Sequence, residues 1–304
     1  MSSPTGPAPG LPVRMPRPRP SGRHRRPEPA AAPEGAPSLV LAVPGVPGAG
    51  SRALAEEVCS IARSGLPGLD ARIGFVDGPG AAQDEFPALE SVLVHLGAER
   101  RERFGEDIDR EGPSAVVVPL LAGPDSASLR RIRQAVLNSG SGAELTDVLG
   151  PHPLLAEALH VRLSEAGLAR ADRARLFTVT TAADGIILVT VGGDEAVQAA
   201  GITGMLLSAR LAVPVLAAAL DEEGAVARAA EQLRGSGSAQ LALAPYLVGP
   251  EVPRELLEAA SHEAGCAAAE PLGDYTAVGK LALSHYATAL GITLEPSAPG
   301  TPVR

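Results

Sequence analysis

Val117-Val118-Pro119-Leu120-Leu121-Ala122-Gly123-Pro124 returns later in the chain as Leu243-Ala244-Pro245-Tyr246-Leu247-Val248-Gly249-Pro250. Each stretch is a short apolar run closed by proline and then by Gly-Pro, the pattern of a buried strand running into a loop. Downstream, Asp147-Val148-Leu149-Gly150-Pro151-His152-Pro153 is matched by Glu270-Pro271-Leu272-Gly273-Asp274-Tyr275-Thr276. Two correspondences in the same order predict an internal duplication.

Working outward, apolar runs alternate with helix-period stretches. Leu39–Val43 and Ala71–Val76 read as strands, and Leu54, Val58 and Ile61 mark the helix between them. A charged helix over 86–104 precedes the strand Ala115–Leu121. Leu129, Ile132 and Val136 mark the next helix, Leu145–Leu149 a short strand, and Leu155, Leu159 and Leu163 a closing helix. The second half repeats this order. Gly185–Val191, Val213–Leu220, Gln240–Leu247 and Cys266–Pro271 are its strands, and Asp194 is its first helix N-cap. Strands alternating with helices predict parallel sheets covered on both faces. The expected fold is α/β, with two duplicated flavodoxin-like lobes over 38–168 and 176–292. Residues 1–37 and 293–304 are expected to be disordered tails.

Composition narrows the class. The chain has 304 residues, 45% of them hydrophobic, with 2% aromatics and no Trp. Ala, Leu and Val must therefore build the core. Residues 1–37 concentrate six arginines against two glutamates, whereas the whole chain carries a net charge of −9. The body is acidic, so no dedicated nucleic-acid domain is expected. No apolar run reaches the roughly 18 residues of a membrane span. The start lacks the apolar core of a signal peptide, and Cys59 and Cys266 form no disulfide or metal framework. A cytoplasmic protein is expected.

In open α/β sheets ligands sit at the carboxyl ends of the strands. Pro44-Gly45-Val46-Pro47-Gly48-Ala49-Gly50-Ser51-Arg52 has glycine spacing like a phosphate loop, but lacks the Lys-Ser/Thr pair and reads as a tight turn. The six histidines form no ligand set: His152 and His285 read as structural, His95 and His262 as solvated. Asp77, Asp125 and Asp194 stand at strand ends, where a carboxylate can shuttle a proton, ligate a hard metal or simply cap a helix.

The strand Leu39–Val43, Phe75-Val76-Asp77, Val116–Leu121, Leu149-Gly150-Pro151-His152-Pro153 and Ala244–Leu247 together resemble the sirohydrochlorin chelatase/cobaltochelatase family (the CbiX/SirB type). The resemblance spans about 38–290 and implies two lobes around a cleft, where a divalent metal (Fe²⁺, Co²⁺ or Ni²⁺) is inserted into a tetrapyrrole. It implies Asp77 as the acid and a ligand site at Pro44, Gly45, Asp125 and Ser126. It implies a tetrapyrrole partner, with Co²⁺ or Fe²⁺ as substrate rather than cofactor. Pro44 stands at one family histidine position, and the segment 125–128 around the other holds Asp125 as its one ionisable residue, so neither position supplies an imidazole. Two readings follow: a divergent chelatase working through Asp77, Asp125 or a substrate carboxylate, or a non-catalytic descendant that binds a tetrapyrrole, metal or regulatory partner. A monomer or a homodimer is compatible with either.

Overall fold

The computed structural model describes residues 31–78, 85–104, 112–169, 182–249 and 251–294, so most of both predicted tails and the greater part of the acidic segment at 105–113 lie outside the described residues. The first lobe runs β1 (Ser38–Val43), α1 (Ala49–Gly65), β2 (Ala71–Phe75), α2 (Leu89–Phe104), β3 (Ala115–Pro119), α3 (Ser126–Ser139), β4 (Glu144–Leu145) and α4 (Pro153–Glu165). The second runs β5 (Gly185–Thr190), α5 (Gly193–Leu211), β6 (Val215–Ala219), α6 (Ala225–Gly235), β7 (Leu241–Pro245), α7 (Arg254–Ala264), β8 (Ala267–Ala268) and α8 (Thr276–Ala289).

Both sheets are parallel and have one topology, β2-β1-β3-β4 and β6-β5-β7-β8. The duplication extends to register. Ala42 stands opposite Pro119 in one sheet and Val189 opposite Pro245 in the other. Each proline is the last residue of a central strand, a place where the missing N–H costs the ladder little. The next amide resumes pairing in both lobes: Leu120 N–H donates to Ala42 O at 2.9 Å and Tyr246 N–H to Val189 O at 2.7 Å. Leu149 and Leu272 likewise donate to Leu121 O and Leu247 O. The central strands are buried on both faces along their whole length, which is why they read as continuous apolar runs.

Two predicted strands shrink. Leu145–Leu149 pairs only at Glu144–Leu145, and Cys266–Pro271 only at Ala267–Ala268. These are outer strands, and past the two ladder pairs only single bonds, such as Thr146 N–H to Val117 O and Ala269 N–H to Leu243 O, hold the chain to the sheet before the next helix. The helix expected from residue 86 begins at Leu89, because Phe75 N–H bonds Pro87 O and Phe75 bridges to Ala88.

The closing helix of each lobe crosses to the other. α4 packs on α5 and β7, and α8 packs on α1 and β3. Tyr286 on α8 donates its hydroxyl to Pro37 O, just before β1, at 2.7 Å. Arg162 on α4 donates to Leu272 O from Nε at 3.2 Å and from Nη2 at 2.9 Å. One apolar cluster therefore runs from Leu39, Leu41 and Val118 through Leu159 and Tyr286 to Ile186, Leu188 and Ala244. The two sheets share a core, so their strand ends are held in fixed relation.

Candidate functional site

The carboxyl ends of β1, β2 and β3 carry the residues that the sequence singles out. Pro44 is buried directly after β1. Gly45 takes φ 81°, a left-handed conformation that a side chain disfavours, and turns the chain so that Val46 stands 86% exposed at the loop tip. Gly48 N–H donates to Ser51 Oγ at 3.0 Å while Ser51 Oγ–H donates to Gly48 O. The loop closes on itself as a helix entry, as the tight-turn reading expects.

Asp77 follows β2 and is occupied. Its carboxylate pairs with the Arg131 guanidinium on α3, and Arg131 also donates to Ser128 Oγ at 3.2 Å. Asp125 is the N-cap of α3, accepting from Ala127 N–H at 3.0 Å and Ser128 N–H at 3.3 Å. Ser126 opens that helix, exposed. Asp194 is not an N-cap. The entry to α5 is made by Gly192 and Gly193 at φ 114° and 69°, and Gly192 N–H is taken by Asp221 Oδ2 at 3.1 Å. Two glycines in the left-handed region let the chain turn into the helix without a capping side chain.

At the centre the lobes touch. A β-carbon on Gly192 would lie 2.5 Å from Pro124 O, and one on Gly123 would lie 3.1 Å from the Tyr246 ring. The Pro124 loop therefore abuts the second lobe directly, leaving the open part of the cleft at its flanks. One flank is a groove of about 640 Å³ lined by Gly50, Leu54, Glu57, Arg162, Asp274 and Tyr275, between the starts of α1 and α8.

Glu251 escaped the sequence reading. Its carboxylate closes the loop after β7 by accepting from Val248 N–H at 2.7 Å and from Gly249 N–H. Burial pushes its pKa up to about 7, against the opposing pull of those amides, and the negative charge of Asp125 adds to the rise. A carboxylate just past a strand-end glycine was the available signal. Tyr246 was also missed as a lobe-joining residue: it packs against Gly123 and Gly150 of the first lobe, while Thr203 Oγ1–H of its own lobe donates to its hydroxyl at 3.2 Å, both side chains buried.

The histidines gather elsewhere. His152 Nδ1 accepts from Leu154 N–H at 3.1 Å as the N-cap of α4, a structural role. Burial lowers the pKa of both His152 and His285, with Asp147 opposing the shift at His285. His285 shares a groove with Glu144–Asp147 at β4, the strand at the opposite edge of the sheet from β2. His160 is buried and accepts from Arg210 Nε–H at 2.8 Å through Nδ1. His95 and His262 are exposed. Among the described residues, no group of three or more His, Cys, Asp or Glu side chains is arranged to hold a metal ion, and no helix is long and apolar enough to cross a membrane.

No protein-family model matches the chain, and no curated protein matches it. Among solved structures, the fold is similar to the sirohydrochlorin chelatase SirB from Bacillus subtilis subspecies spizizenii in complex with cobalt. The two are 13% identical over 83% of this chain and 95% of that one, with a TM-score of 0.51. ZnuA (7% identity, 84% and 99% coverage, TM-score 0.35) and a lactose-bound LacI-family transcriptional regulator from Arthrobacter sp. FB24 (14%, 77% and 76%, 0.30) are more distant. At these identities the likeness is one of fold: two parallel lobes of the chelatase type.

Proposed function

We propose that this chain is a chelatase-fold binding protein that holds a carboxylate-rich tetrapyrrole without inserting metal into it. The observation that carries this reading is the Asp77–Arg131 pair. The residue best placed to act as acid or metal ligand is neutralised by a guanidinium, and its neighbour across the sheet is the buried Pro44. Metal insertion needs groups that grip the incoming ion and accept the pyrrole protons. Proline offers neither, and a carboxylate held by arginine is a poor metal ligand.

The same pair suits an anionic ligand. Arg131 and Arg52 sit on the rim of the first lobe, both substantially exposed, and each is now matched to a carboxylate of the chain itself. A ligand carboxylate can replace Asp77 on Arg131, since guanidinium–carboxylate pairing is strong and directional. We assign the protein to the cytoplasm, a setting compatible with its two free cysteines.

One observation favours the second reading, a divergent chelatase. Glu251, with a pKa pushed up to about 7 beside Asp125, can take up a proton near neutrality. In that reading Co²⁺ or Fe²⁺ is the substrate and Glu251 the proton acceptor.

Mixing the purified protein with sirohydrochlorin, with and without Co²⁺, separates the readings in the visible spectrum. A band shift on binding and no insertion above the protein-free rate is the expected result. Insertion that is lost in Glu251→Gln supports the chelatase reading, and no shift at all overturns both.

A further inference from the structure

α4 is capped by a histidine, and its counterpart in the second lobe is not. α4 opens with Pro153, which has no N–H, so the Leu154 amide is the first orphan donor of the helix. His152 Nδ1 accepts from it at 3.1 Å. At the matching place of the duplicated motif, Tyr275 precedes α8 with no side-chain cap bond. The repeated turn therefore folds without a capping side chain, yet the first lobe carries a titratable one. An imidazole nitrogen accepts a hydrogen bond only while unprotonated. Protonation sets a donor against the Leu154 donor and a positive charge at the positive end of the helix dipole.

A second histidine holds the same turn from α8. His285 donates to the Leu149 carbonyl, three residues before His152. Burial, and then the neighbouring His285, keeps the His152 pKa below its ordinary value. Burial does the same at His285, against the pull of Asp147 and of the Leu149 bond. Asp147 and Glu144 line the groove beside His285. The other elements packed on α4 and α8 bring no further charge to the pair. β3 and β7 have none, and Arg210 of α5 is bonded to His160, while Asp194 and Glu195 are exposed at the start of that helix. On α1, Arg52 pairs with Glu56, Arg63 donates to Ala71 O, and Glu57 lines the groove at the helix starts. Glu157, Arg162 and Glu165 of α4 act on Tyr275 instead, and Lys280 of α8 is exposed.

The turn between these histidines is also where the lobes meet. A β-carbon on Gly150 would collide with the Tyr246 hydroxyl of the second lobe and would lie 2.7 Å from Ala122 O, in the loop after β3. With no room on either side, movement at the start of α4 reaches both Tyr246 and the cleft loop.

We propose that His152 and His285 form an acid-sensitive latch between the lobes, in which protonation breaks the cap of α4 and loosens the Gly150 turn from Tyr246 and the Ala122 loop. The direction follows from linkage. A histidine whose folded pKa is held below the ordinary 6.5 contributes stability that is complete above that pH. The contribution is lost as pH falls through the folded value. Glu251 acts in the opposite direction over this range, so the informative quantity is the difference between parent and variant.

Near-UV circular dichroism reads the latch, because the chain has no Trp and three Tyr, of which Tyr246 and Tyr286 are buried at contacts between the lobes. From about pH 7.5 to about pH 5.5, either side of the histidine range, the parent's tyrosine band should weaken while the far-UV helix signal holds. His152→Asn caps through an amide oxygen at either pH and should lose about half of that dependence or more, since one of two titrating groups is gone. His285→Gln keeps the cap, removes the neighbouring charge and should leave a shallower fall. A parent band that is flat to about pH 5.5 overturns the proposal. So does a fall of equal size in His152→Asn or, should that variant not fold, in His285→Gln.

Discussion

The Asp77 carboxylate at the end of β2 is paired with the Arg131 guanidinium on α3, 54 residues further along the chain. Both side chains are partly solvated, so the pair contributes little to folding, below about 1 kcal/mol. Its consequence is chemical, because neither group is free in the unliganded protein.

The first prediction follows from that competition. Asp77→Ala releases Arg131 and should tighten sirohydrochlorin binding, whereas Arg131→Ala should weaken it about tenfold, the value of one charge-assisted bond of about 1.4 kcal/mol. Both variants should melt within a few degrees of the parent. Fluorescence or absorbance titration reads the two opposite signs. A loss of binding in Asp77→Ala would show that the carboxylate itself contacts the ligand.

Glu251 gives a pH signature. Its folded pKa of about 7 stands above the ordinary glutamate value of 4.5. The folded state therefore holds the proton more tightly than the unfolded state. The stabilisation is complete below about pH 4.5 and is lost as pH rises through 7. Glu251→Gln fixes the neutral form but turns an amide group toward one backbone N–H, costing about 1 kcal/mol. The parent should exceed the variant in stability near pH 5, and the gap should narrow toward pH 8. Denaturant melts at several pH values measure it. A gap that widens with pH would mean the carboxylate is stabilised in its charged form.

What the sequence made legible is what local pattern controls. The runs Leu39–Val43, Val116–Pro119 and Gly185–Thr190 are buried parallel strands because they are apolar on both faces. Asp125 reads as a cap because a cap is a contact with the next few amides. The repeat around Pro119 and Pro245 reports topology because two copies of one pattern fold alike. Partners set by tertiary packing were not legible. Nothing near Asp77 announces Arg131, and nothing in Leu155, Leu159 and Leu163 says that α4 will cover β7 of the other lobe. Asp194 misled because it is a good capping residue two places too late, after two glycines had already made the turn.

Tyr246 forms a buried hydroxyl pair with Thr203 of its own lobe at 3.2 Å, and burial pushes its pKa up to about 12. Tyr246→Phe leaves the Thr203 hydroxyl buried without that partner and should cost about 1–2 kcal/mol. Thr203→Val with Tyr246→Phe should recover part of that loss, because replacing both polar partners removes the unpaired group. A double-mutant cycle on chemical denaturation checks it. Additive losses would mean the two hydroxyls are not coupled.

The contact between Gly192 and Pro124 sets the sharpest structural test. Gly192 holds φ 114°, and a β-carbon there would meet Pro124 O at 2.5 Å and Asp125 Cα at 2.9 Å. Gly249 holds φ 141°, but its added β-carbon would find its nearest atoms, Leu54 Cδ1 and Pro271 Cβ, at 3.8 Å. Gly249→Ala therefore suffers backbone strain alone, about 1–2 kcal/mol. Gly192→Ala suffers the same strain and also forces the first-lobe loop away from the second lobe, so its loss should exceed about 3 kcal/mol. Because the displaced loop carries Asp125, Gly192→Ala should also weaken tetrapyrrole binding, while Gly249→Ala should alter it less. Thermal melts and the sirohydrochlorin titration read both effects on the same pair of variants. Equal destabilisation by the two substitutions would mean that the lobes are not packed together at Pro124.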